Sequence, residues 1–151
     1  MTGAERPLAL TMGEPAGIGG EIACMAWRER RAAEVPPFLL LDDPDRIAAL
    51  ARAVGIAVPV RAVATAAEAA ATFDEALPVL SIGAVAARPG RPDPATGPAV
   101  LASIDRAVAM VRAGGAAAVV TNPIQKSVLY EAGFRHPGHT EYLAELAGTG
   151  D

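Results

Sequence analysis

The amino-acid sequence predicts an α/β fold. Short apolar runs alternate with longer amphipathic stretches, which is the pattern of strands and crossover helices. The junctions between them carry Gly, Pro and Asp where helices start and stop. Only one connection, residues 83–98, is long and without a period of its own.

Leu8 to Thr11 reads as a buried strand, followed by the glycine-rich stretch TMGEPAGIGGE and a helix from Gly19 to Arg31 that ends in the charged RERR. Phe38 to Leu41 is a second strand, bounded by Pro36-Pro37 and Asp42-Asp43. Asp43 then supplies a cap and Pro44 a first-turn proline for a helix with Ile47, Leu50 and Val54 on one face, stopped by Gly55. Val58 to Val63 is a weaker strand interrupted by Pro59, and the pattern of ATAAEAAATF fits a loop or a short helix equally. Leu77 to Ile82 is a further strand. The stretch GAVAARPGRPDPATGP after it has too much Gly and Pro for regular structure, and a loop of that length is either functional or mobile. A helix from Pro98 to Ala113 presents Val100, Leu101, Ile104, Val108 and Val111 on one stripe before Gly114-Gly115 ends it. Ala116 to Thr121 reads as a buried strand, with Asn122 capping and Pro123 opening the helix that Gly133 closes. The last segment, HPGHTEYLAELAG, repeats the device with Thr140 as cap.

Composition narrows the function classes. A chain of 151 residues can build one core. Its 13 Lys and Arg against 17 Asp and Glu give a net charge of −4. With no basic stripe and few aromatics, nucleic acid is excluded as the expected partner. No apolar run approaches the roughly 20 residues of a membrane span. The start MTGAERPLAL has no basic segment followed by an apolar one, so a cytoplasmic location is expected. The single cysteine, Cys24, excludes an internal disulfide and reads as a small buried hydrophobe.

Two loops fall at the carboxyl ends of strands, where open α/β sheets bind ligands. The first carries Gly13, Glu14, Gly17, Gly19 and Gly20; these glycines cannot be aligned as G-x-G-x-x-G, and no Lys-Ser or Lys-Thr follows as a P-loop requires. The second, TNPIQK, carries Thr121, Asn122 and Lys126. Each is either an efficient strand-to-helix turn or an anion site built on a helix N-terminus. Lys126 in a first helical turn works against the helix dipole by about 0.3–1 kcal/mol, a sign that a bound anion would reverse and that a solvated side chain would escape. His136 and His139 have i, i+3 spacing, but Pro137-Gly138 between them breaks the helix and a third ligand is missing, so the pair is not read as a metal site. His139 reads instead as a hydrogen-bond donor to an anion at a third helix N-terminus. The residues assign no catalytic base or nucleophile.

The segments MGEPAGIGGE, TNPIQK and AGFRHPGHTEYLAEL, in this order and at these separations, resemble the 4-hydroxythreonine-4-phosphate dehydrogenase family, PdxA, and DPATGPAVLASIDRAV resembles that family's preceding helix. The resemblance spans nearly the whole chain. It implies an isocitrate-dehydrogenase-like three-layer α/β/α fold, incomplete in this chain, with residues 1–132 as a partial first domain and 133–151 as the start of a second. It implies a homodimer with the active site between domains, in which NAD or NADP and a divalent metal (Zn, Mg or Co) serve to oxidise 4-phosphohydroxy-L-threonine at C3. Decarboxylation to 3-amino-2-oxopropyl phosphate would follow, in pyridoxal phosphate biosynthesis. His139 and Thr140 match positions that contact the phosphorylated substrate, and the glycines of the first loop would let it approach a neighbouring segment rather than wrap a pyrophosphate. Gly20 departs from the family, which commonly has proline there. The resemblance places three metal-binding histidines beyond Asp151, so this chain holds no metal ligands. It reads as the N-terminal part of an enzyme, a fragment or a truncated gene product, inactive by itself. Two rivals remain: a relative oxidising another acidic alcohol, such as a phosphorylated sugar acid or a dihydrodiol carboxylate, and a non-catalytic anion-binding or dimerisation module.

Overall fold

The computed structural model describes residues 5–148. The first four residues of the start and the last three of the 133–151 unit lie outside the described residues. In chain order the elements are β1 (Leu8–Thr11), α1 (Gly19–Arg28), β2 (Phe38–Asp42), α2 (Pro44–Ala53), β3 (Val60–Val63), α3 (Ala66–Thr72), β4 (Leu77–Ser81), α4 (Gly97–Arg112), β5 (Val119–Val120), α5 (Lys126–Glu131) and α6 (His139–Ala147). The strands form one sheet in the order β3-β4-β2-β1-β5, every pair parallel.

Because side chains alternate along a strand, β1 to β4 each feed two cores. Leu10, Phe38, Leu40, Leu77 and Val79 face α1 and α2, packing on Ala23, Trp27 and Ile47. Ala9, Leu39, Leu41, Val63 and Leu80 face the other way, onto Ala69 of α3 and Ala107 and Met110 of α4. Three layers result. Being covered on both faces is what permits an uninterrupted apolar run such as Phe38–Leu41. A smaller cluster of Met12, Val100, Leu129 and Phe134 ties α5 and the segment after it to α4.

Several boundaries differ from the sequence reading, each for a local reason. The undecided stretch is helical: the Thr65 hydroxyl caps α3 by accepting from the Glu68 amide at 3.1 Å. At the other side of the sheet, β5 is short, and Val120 is 42% exposed rather than buried, because this strand pairs only with β1 among the described strands. The helix expected to open at Pro123 begins at Lys126, since Asn122 is engaged elsewhere. Gly138, not Thr140, stands at the cap position of α6, with no side-chain cap. The first helix ends at Arg28 instead of Arg31. At Gly20, the family departure, α1 faces α2: a Cβ there would stand 2.5 Å from Leu50 Cδ2, a side-chain end that can move aside.

The long connection is not a free loop. Asp93 caps a 3-10 turn, Pro94–Thr96, and the Gly90 amide donates to Ala16 O at 2.8 Å, pinning the loop to the first glycine stretch.

Candidate functional site

At the carboxyl edge of the sheet the two loops singled out in the sequence meet. The Glu14 amide donates to Pro123 O at 2.8 Å, and the Asn122 side-chain amide donates to Thr11 O at 3.0 Å and Gly19 O at 3.3 Å. Gly13 and Gly19 make this approach possible. Gly13 sits at φ 68, and a Cβ on it would stand 2.6 Å from Pro123 O and 2.7 Å from Asn122 Cβ; on Gly19 it would stand 2.8 Å from Met12 O. The glycines therefore accommodate protein, and the described loop is no vacant cradle for a pyrophosphate. Gly17 closes a tight turn, its amide donating to Glu14 O at 2.9 Å. Glu14 is buried, with Oε1 accepting from the Ala16 amide at 2.9 Å. Thr121 is exposed just beyond β5.

Beyond this clasp lie the charged groups. Lys126 is the first residue of α5 and His139 the first of α6. The Lys126 Cε and Nζ both lie 3.4 Å from where a Gly138 Cβ would be, which places the ammonium at the opening of α6. His139 Nε2 is buried and has no hydrogen-bond partner. Burial, and then the Lys126 charge, hold the imidazole below its ordinary pKa, so it is neutral at pH 7. Thr140 follows, exposed in the uncapped first turn of α6. The site thus offers one ammonium, one buried imidazole nitrogen lacking a partner, which donates in the Nε2–H tautomer of the neutral ring, and free helix N–H groups: a set suited to an anion.

His136 Nε2 pairs with Glu145 Oε2 at 3.0 Å, and among the described residues no group of three or more His, Cys, Asp or Glu could hold a metal ion. The described residues do not by themselves fit the implied metal.

One participant escaped the sequence reading. Asp42, fully buried at the end of β2, receives Arg46 Nε at 2.9 Å and Nη2 at 2.6 Å, while Arg46 Nη1 donates to Pro15 O at 3.1 Å. Burial pushes the Asp42 carboxyl up and the guanidinium opposes it. The i, i+4 Asp-Arg spacing at a helix start was the available signal. This pair backs the first loop against α2, beside Cys24, whose buried thiol is pushed up to about 11 by desolvation.

The model of the family described as "Pyridoxal phosphate biosynthetic protein PdxA" matches residues 34–151. The chain belongs to the PdxA family. A relative from Bradyrhizobium diazoefficiens named 4-hydroxythreonine-4-phosphate dehydrogenase is 57% identical over 95% of this chain and 44% of its own length. A crystal structure of a 4-hydroxythreonine-4-phosphate dehydrogenase from Burkholderia phymatum is similar with a TM-score of 0.85 at 28% identity, over 97% of this chain and 45% of that one. A terephthalate 1,2-cis-dihydrodiol dehydrogenase from Burkholderia xenovorans is similar with a TM-score of 0.68 at 27% identity, over 92% of this chain and 40% of that one. The chain spans less than half the length of these PdxA relatives. Both the TNPIQK loop and the His139 turn fall inside the PdxA match.

Proposed function

We propose that this chain supplies the substrate-anion side of a 4-hydroxythreonine-4-phosphate dehydrogenase acting in pyridoxal phosphate biosynthesis. The observation that carries the reading is His139 Nε2, buried and unpartnered beside the Lys126 ammonium at the opening of α6. A buried polar atom without a partner costs about 1–3 kcal/mol, and a phosphate oxygen accepting from it would remove that cost. Lys126, His139 and Thr140 would hold the phosphate, and the clasp of Gly13, Glu14, Gly19 and Asn122 would fix where α5 begins. Gly17 and Thr121 shape the two loops at its margins.

In the whole enzyme the reaction is oxidation of 4-phosphohydroxy-L-threonine at C3, then decarboxylation to 3-amino-2-oxopropyl phosphate. The oxidant, NAD or NADP, and a divalent metal (Zn, Mg or Co) would be held by residues outside this chain. A homodimer, a cytoplasmic location, and a domain boundary near residues 132–133 belong to the same reading.

The likeness to a dihydrodiol dehydrogenase favours one second reading, oxidation of another compact acidic alcohol on the same scaffold. The test is a pair of assays on the protein extended to the length of its relatives, one with 4-phosphohydroxy-L-threonine and one with a dihydrodiol carboxylate. Turnover of the second alone would replace the first reading by the second, and turnover of neither favours a non-catalytic module. In the active protein, His139→Ala is expected to weaken phosphorylated-substrate binding by about ten-fold to a hundred-fold, the worth of one hydrogen bond to a charged group. Metal affinity should stay at its wild-type value.

A further inference from the structure

A cavity of about 810 Å³, lined by none of the clasp residues, lies between the start of α2 and the long connection before α4. Two arginines on one turn line it. Arg88-Pro89-Gly90-Arg91 has proline second and glycine third with φ 73, the residues of a type II turn, and the Arg91 amide donates to Arg88 O at 3.0 Å. Arg88 and Arg91 form an antiparallel bridge, so both side chains leave the turn on one face. The turn itself is held in place through Gly90 N and Ala16 O.

The other charges around the cavity are already engaged. Asp43 accepts from the amides of Asp45, Arg46 and Val85, and Asp93 from that of Ala95. Arg46 is spent on Asp42 and Pro15 O. Neither Arg88 nor Arg91 has an ion-pair partner among the described residues. Two like charges leaving one face of a short turn repel each other, and an oxyanion bound by both relieves the repulsion and matches the planar guanidinium fork.

We propose that the Arg88–Arg91 turn is a second oxyanion-binding element, taking a phosphomonoester or pyrophosphate group into this cavity. It is independent of the Lys126 and His139 site, and of whether that site binds substrate.

The test is calorimetric and ³¹P NMR titration of the 151-residue chain with inorganic phosphate, pyrophosphate and AMP at about 0.15 M salt, where exposed charges are screened beyond about 8 Å. Saturable binding is expected, weakened about ten-fold or more in R88Q/R91Q and in R91Q alone, as loss of a charge-assisted contact predicts. It should be unchanged in R61Q, whose guanidinium pairs with Glu75. Tighter binding of AMP than of phosphate would show that the cavity also holds the organic part, and the reverse order that it takes the free ion. Both arginines are exposed, so the variants are expected to melt as the wild type does. Unchanged affinity in R88Q/R91Q, an equal loss in R61Q, or no saturable binding overturns the proposal. Abolition by K126M instead would assign the bound phosphate to the other site and leave that reading standing.

Discussion

His139 is neutral in the folded chain because its surroundings penalise the proton, and this has a stability consequence of fixed sign. With a folded pKa below the ordinary value of about 6.5, the unfolded state binds the proton more readily. The contribution of His139 is therefore complete above about pH 6.5 and is lost as pH falls through the lowered folded value. Urea unfolding at a series of pH values between these limits should show stability falling with pH, and the slope should be smaller in His139→Gln; an equal slope would assign the effect to other groups. A second residue-scale consequence follows from the Asp42–Arg46 pair, whose side chains are 0% and 13% exposed. Arg46→Met strands a buried carboxylate, which costs about 3–5 kcal/mol, whereas Asp42→Asn together with Arg46→Met should recover a large part of that loss. Additivity of the two single changes in the double variant would show that the pair is not coupled.

At the scale of elements, the clasp between the two loops rests on one side chain. Asn122→Ala leaves Thr11 O and Gly19 O without their donor in a buried place, a loss of about 1–3 kcal/mol. Because the same side chain fixes the segment before Lys126, amide exchange is expected to quicken in residues 121–126 as well as in the first loop. Exchange confined to one loop would mean that Asn122 holds only that loop. The elements also show what sequence can and cannot disclose. Asp43-Pro44 was legible because a cap acts on amides two and three residues ahead, and the structure has Asp43 accepting from Asp45 and Arg46. Asn122 was read as a cap on the same reasoning and is not one. Its partners are separated from it by 111 and 103 residues, and such contacts leave no local pattern. Thr140 failed likewise, because the chain turns two residues earlier at Gly138.

For the whole molecule, the alternating apolar runs disclosed the α/β class and every strand, since a two-sided core imposes a pattern on each strand separately. The order β3-β4-β2-β1-β5 was not disclosed, nor was the exposure of β5, which follows from its place at the edge. That arrangement grades the stability of the parts. The strands β1, β2 and β4 are largely buried, whereas α6 has no buried residue. Hydrogen exchange is expected to be slowest in those three strands and fastest in α6, the segment that presents His139. Equal protection throughout would show that the chain opens only as a unit. Cys24 offers a clock for the same process. Its thiol is fully buried and remains protonated at neutral pH, so a maleimide can reach it only when the layer between α1 and the sheet comes apart. The native protein behaves toward such reagents as if it had no cysteine. A single cysteine introduced on the surface could therefore carry a dye alone, while slow labelling of Cys24 in the parent chain counts each parting of that layer.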